Sequence, residues 1–122
     1  MMNKKTQLRV LNAAKICGIK AIARKTWSGS LCVGKVYNKI GDTVWFDPSN
    51  DLGHAVELLS AKGGTLIISN EQSKCWVYLE KDYPNKHIKN CVTGSWLSKP
   101  KNKTKNICNA ILNCILTKSE EL

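Results

Sequence analysis

Arginine is scarce in this chain: Arg9 and Arg24 are the only two among 19 basic side chains. Arginine is the better bidentate reader of guanine, so its shortage argues against a sequence-reading DNA binder. Histidine is limited to His54 and His87. There are six cysteines, yet no CxxC or CxxH spacing occurs, so no zinc site is expected and no metal or cofactor is assigned. No run approaches the roughly 18 apolar residues of a membrane span, so no membrane partner is expected. The opening MMNKKTQLRV lacks the apolar segment of a secretion signal. The expectation is a reduced protein of the cytoplasm. GxGxxG, Walker and GxSxG motifs are all missing, and SAKGGTL lacks the lysine-serine pair of a phosphate loop. No catalytic constellation emerges, and the chain is not read as an enzyme.

What is present suits one domain over residues 1–122, with 1–5 and 118–122 expected to fray. A hydrophobic fraction of 43% supplies a core without staples or metal. The net charge is +10, carried almost wholly by lysine. Such a surface attracts nucleic acid, free nucleotides, anionic membranes or acidic proteins, or serves solubility alone. The cysteines of AAKICGI, SKCWVYL and NICNAILNCIL stand in apolar stretches, where a reduced thiol acts as a small hydrophobe.

Hydrophobic spacing sets the elements. TQLRVLNAAKICG predicts a first helix, with Val10, Ala13, Ala14 and Cys17 on one face, Thr6 as N-cap and Gly18 as stop. IKAIARKTW, SLCVGKVYN and DTVWF read as strands, the first two joined at Ser28-Gly29. A second helix is expected from about Asn50 to Ala61, with Leu52, Ala55, Val56 and Leu59 facing the core. Lys62-Gly63-Gly64 closes it. TLIIS and CWVYLEK are strands, and HIKNCVTGSWL is another. The last helix runs from about Thr104 to Thr117. Only Asn106, Asn109, Asn113 and Thr117 form a polar stripe on it, so it should be a buried helix. Helices scattered among strands predict an α+β fold, a mainly antiparallel sheet with helices packed on both faces.

Several stretches invite a functional reading. In FDPSNDLGHAVELL, Pro48 pushes Asp47 out of helical geometry and Ser49 fits the N-cap. The amides there suit an anion, but Asp47 and Asp51 oppose one. His54 has Glu57 at i+3, within reach of the ring; His87 has no better claim to chemistry. Lys99, Lys101, Lys103 and Lys105 crowd the start of the last helix, the wrong sign for its dipole. They are either a solvated loop or an anion site where lysines and helix amides face a phosphate. Lys81, Lys86 and Lys89 extend that surface, and Lys4 and Lys5 repeat the oddity on the first helix. Trp27, at a turn beside Arg24 and Lys25, is either a surface aromatic or a platform on which a base stacks. The other tryptophans, Trp45, Trp76 and Trp96, suit a core.

FDPSNDLGHAVELL resembles the PSTD turn and helix of small phage proteins of the NinX-like and phage ABA-sandwich type. CWVYLEK resembles their tryptophan-bearing strand, and QLRVLNAAKICGIK their opening helix with its terminal glycine. TKNICNAILNCIL resembles their C-terminal helix, with Ile107, Cys108, Ala110 and Leu112 in matching places. The chain departs from the pattern at Asn50, at Gly53-His54 and in its longer basic stretch before the last helix. The resemblance implies helices sandwiching a sheet and a phage or prophage origin; it implies no catalytic or cofactor residue. Three functions follow as expectations. The first is a non-enzymatic phage accessory protein in counter-defence, acting in the host cytoplasm on an anionic nucleotide signal or an acidic host protein. The second is a nonspecific nucleic-acid-binding module. The third is a phosphoester enzyme using His54 or His87.

Overall fold

The last helix organises the molecule. The computed structural model describes residues 2–79 and 91–120. Its third helix, α3 (Lys103–Glu120), buries Ile107, Cys108, Ala110, Ile111, Leu112, Cys114 and Ile115. It touches α1 (Lys4–Ile16), α2 (Leu52–Lys62) and the strands β5 (Lys74–Leu79) and β6 (Val92–Ser95). A helix enclosed by two helices and a sheet must be apolar over most of its circumference, as its sequence is. It begins and ends slightly beyond the predicted span and continues to Glu120, through the first of the residues expected to fray.

The strands form two antiparallel three-stranded sheets. The first has the order β1 (Ala21–Lys25), β2 (Leu31–Val36), β3 (Thr43–Trp45); the second has the order β4 (Gly64–Ser69), β5, β6. The α+β class, the antiparallel pairing and the helices packed on sheets are as the sequence predicts. The strands divide because Pro48 and α2 interrupt them between Trp45 and Gly64. In β5 the burial alternates: Cys75, Val77 and Leu79 point to the core, Lys74, Trp76 and Tyr78 away from it. That is the period-2 pattern of a sheet with one buried face. His87 and residues 88–90 of the last predicted strand lie outside the described residues, as do Lys81, Lys86 and Lys89.

Both N-terminal caps differ from expectation. Helix α1 is capped by Asn3, not Thr6; the Asn3 side chain accepts from the Thr6 N–H at 2.8 Å. Residues 2–5 are held rather than frayed. Met2 is buried and bridges Leu31 on β2, and the Gln7 amide donates to the carbonyls of Cys32 and Arg24. Helix α2 is capped by Asp51, which accepts from the His54 N–H at 3.0 Å. Ser49 does other work: its N–H and hydroxyl donate to the buried Asp47 carboxylate, which also receives the Asn50 amide. A buried carboxylate without donors would be costly, so the turn supplies them. Gly63 ends α2 in the left-handed conformation, φ 75°, as a C-terminal glycine should.

The buried face of α2 is Leu52, Ala55, Leu58 and Leu59, with Leu52 partly covered. Val56, predicted as core, is exposed, and Leu58 takes its place. At 3.6 residues per turn the two flank the Leu52–Ala55–Leu59 stripe on opposite sides. Which side is buried is settled by the packing of α2 on α3, β4 and α1, not by the spacing.

His54 is explained by structure. Its Nδ1 accepts the Asp47 N–H at 2.9 Å, and its ring lies against Trp45 and Phe46 at about 5 Å. An accepting Nδ1 places the ring proton on Nε2. Glu57 turns to Lys35 at 2.5 Å, away from the pairing with His54 that the sequence suggested. His54→Phe keeps the ring but strands the Asp47 N–H. It should cost about 1–3 kcal/mol in urea unfolding. A variant as stable as the parent would show that the imidazole is not needed structurally and would reopen a chemical role for it.

Candidate functional site

The starts of α1 and α3 and the turn before α2 converge on one polar cleft of about 490 Å³. Asn3, Thr6 and Arg9 come from the first turns of α1 and its cap. Ser49 and Asn50 come from the turn that leads to α2. Asn102, Lys105, Asn106 and Asn109 come from the start of α3. Each group is there because of its local structure. Asn3 caps α1, Ser49 and Asn50 serve Asp47, and Asn106 and Asn109 belong to the one polar stripe of α3.

Arg9 joins two of these elements. Its guanidinium donates to Asn109 Oδ1 at 3.1 Å and to Asn113 Oδ1. Two of its five donors are thereby used and the fork is held in place. Among the described residues no carboxylate pairs with Arg9 or Lys105. None of the three helices has an acidic residue in its first turn. Asp47 and Asp51, which flank Ser49 and Asn50 in the chain, are engaged by the turn and by the α2 cap, and neither lines the cleft. The cleft therefore offers two cations and a wall of side-chain amides and hydroxyls. Anions are stabilised by such groups.

The expected lysine cluster is only partly assembled there. Lys105 lines the cleft. Lys103 turns away, donating to Asn70 on the β4–β5 connection and lying 5.4 Å above the Trp96 ring. Lys99 and Lys101 are exposed around a single 3-10 turn, Pro100–Asn102. Lys4 and Lys5 are exposed on the first turn of α1. Arg24, Lys25 and Trp27 belong to the β1–β2 hairpin and contribute nothing to the cleft. Trp96 is buried, whereas Trp45 and Trp27 are exposed.

Arg9 and the cleft asparagines were not singled out by the sequence. One signal was present: the polar stripe of an otherwise buried helix consists of asparagines rather than charges. Asparagine on that stripe is what an arginine from a neighbouring helix can dock on.

No acid, histidine or thiol stands among the cleft's lining residues. Burial, with Asp47 and Asp51 adding to it, pushes the Cys108 thiol up to about 11, and burial pushes Cys17 to about 11 against the opposing pull of Lys62. Protonated thiols are poor nucleophiles. Among the described residues no helix is long and apolar enough to cross a membrane, and no group of three His, Cys, Asp or Glu could hold a metal ion. Comparison of the chain with protein-family models, with curated proteins and with solved structures finds no match.

Proposed function

We propose that this protein is a non-enzymatic binder of a small phosphate-bearing anion, of the nucleotide class, held in the cleft between α1 and α3. The observation that carries the reading is the union of Arg9 and Lys105 with a polar wall free of carboxylates. A cleft of this size falls within the range of small-molecule sites, about 300–1,000 Å³. The arginine fork matches phosphate oxygens, and Lys105 adds a point charge. The side-chain amides of Asn102 and Asn106 offer both donors and acceptors to a base or sugar, and Asn50, whose NH2 is spent on Asp47 and Ser49, offers its carbonyl. Binding without turnover is favoured because the lining offers no acid–base pair to move a proton. In a phage, such a protein would withdraw a nucleotide signal from the host's defences; the likeness of its turn and terminal helices to small phage proteins supports that setting.

A thermal-shift panel of cyclic and linear nucleotides tests this, with inorganic phosphate as the simplest member. A true ligand at a hundredfold excess over its dissociation constant stabilises the fold by about 2.7 kcal/mol. A melting point unmoved by every nucleotide would count against the reading. Conversion of a nucleotide during incubation would replace binding by catalysis.

A further inference from the structure

The outer face of the first sheet lies away from the cleft and has its own chemistry. Ile22, Gly34 and Trp45 stand directly opposite one another across β1, β2 and β3, with Arg24 opposite Cys32 and Thr43 opposite Val36. Directly paired and alternate residues share a face, so these side chains form one surface. The opposite face carries Ala21 and Val33, which pack into the core. On the outer face Trp45 is 58% exposed and Ile22 40%.

Arg24 lies across this surface. Its guanidinium donates to Thr43 Oγ1 at 3.1 Å, and its stem passes over Gly34. A Cβ at Gly34 would stand 2.9 Å from Arg24 Cδ and 2.8 Å from Thr43 Cβ, so the glycine makes room for the arginine. Lys20 and Lys25 are exposed at the two ends of β1. Among the described residues none of these three cations is ion-paired. The three strands contain no acidic residue, and Asp42, in the β2–β3 turn, is bonded to Asn38.

The hairpin then holds out Trp27, which is wholly exposed. The turn beneath it is tied together. The Thr26 N–H donates to the Ser30 carbonyl, the Ser30 N–H donates to Thr26 Oγ1, and the Ser28 hydroxyl bridges toward Thr26 and Ser30. The braced tip fixes the backbone that carries the ring, so less ordering is left to lose when it meets a partner.

We propose that this face and its tip bind single-stranded nucleic acid, with Trp45 and Trp27 stacking on bases, Lys20 and Arg24 on the phosphates between them, and Lys25, which alternation puts on the other side of β1, meeting a phosphate at the tip. Charge decides for nucleic acid over an apolar protein partner: exposed aromatics alternate with unpaired cations and no carboxylate interrupts them. Stacking on aromatics over a basic surface is how unpaired strands are held without reading their sequence. Trp45 is level with Ile22, five residues from Trp27 and two strands across, roughly 16 Å along the strands and about 10 Å across them, a span of about five or six stacked nucleotides. A duplex hides its bases from such a face. This site is separate from the cleft and stands whether or not the cleft binds a nucleotide.

Fluorescence anisotropy with a labelled dodecathymidylate tests it at low salt, on the full chain. Saturable binding is expected, with affinity falling as about the second power of salt concentration for three phosphate contacts. Trp27→Ala should weaken it about tenfold, and Arg24→Ala with Lys25→Ala should flatten the salt dependence. Trp27 is solvent-exposed, so the variant should fold, and circular dichroism checks that it does. Arg9→Ala should leave the oligonucleotide affinity unchanged. No binding at low salt, full affinity in Trp27→Ala, tighter binding to the matching duplex, or loss of binding in Arg9→Ala would each overturn the proposal.

Discussion

Ile111→Ala is expected to destabilise the protein by about 2–5 kcal/mol, the range for truncating a buried aliphatic side chain. Ile111 is fully buried in α3, the helix against which α1, α2 and the second sheet all pack. A cavity there cannot be filled by one neighbour moving, because the neighbours belong to several elements. Domains of this size have roughly 5–15 kcal/mol in total, so from about an eighth of the stability to most of it goes. Val56→Ala is the matched control. Val56 is exposed on α2 and should change stability by under about 1 kcal/mol. Urea unfolding of both variants reads the result. Equal losses would mean that α3 is not the organising element and that the buried face of α2 is wrongly placed.

Arg9→Ala is expected to weaken nucleotide binding by about tenfold or more, the loss of a charge-assisted hydrogen bond to phosphate. Arg9 also fastens α1 to Asn109 and Asn113 of α3, so the variant loses some stability as well. Arg9→Lys separates the two effects. It keeps the charge but not the fork, and should recover part of the affinity. Lys105→Ala should weaken binding to a smaller degree, since its ammonium is exposed and screened by salt. Titration calorimetry on the four proteins orders them. Unchanged affinity in Arg9→Ala would place the ligand somewhere else.

Much of the fold was legible because the signals were periodic and local. The apolar and aromatic run of CWVYLEK points to a strand and the almost uninterrupted apolar surface of TKNICNAILNCIL to a buried helix, and the structure supplies both. The misreadings share a cause. Thr6, Ser49 and Val56 were each chemically suited to the role assigned, and a competitor nearby was equally suited. Asn3 took the α1 cap because the chain before it is anchored at Met2 to Leu31. Ser49 was drawn to Asp47 once that carboxylate was buried, leaving the α2 cap to Asp51. Leu58 is buried in place of Val56 by the packing of α2 on its neighbours. Local spacing cannot choose between such rivals; tertiary packing does.

The candidate site was less legible. Lys105 belonged to a run that read as one cluster, but the 3-10 turn at Pro100–Asn102 spreads its members, and Lys103 is taken by Asn70 and Trp96. Arg9 sat inside an ordinary amphipathic helix, and nothing local told that it would meet the asparagines of a helix about a hundred residues away. Trp27 was the reverse case. A tryptophan at a Ser-Gly turn has little to pack against, and its exposure followed from sequence alone.

The central claim is that the cleft between α1, α3 and the turn before α2 holds a phosphate-bearing ligand. It is tested most directly by titrating the 15N-labelled protein with the nucleotide that moves the melting point most, and following the backbone amides by NMR. Saturable shifts should concentrate at Thr6, Arg9, Asn50, Lys105 and Asn106, with the hairpin at Trp27 unmoved. Shifts that do not saturate, or that gather on the first sheet and leave the cleft unchanged, would contradict it.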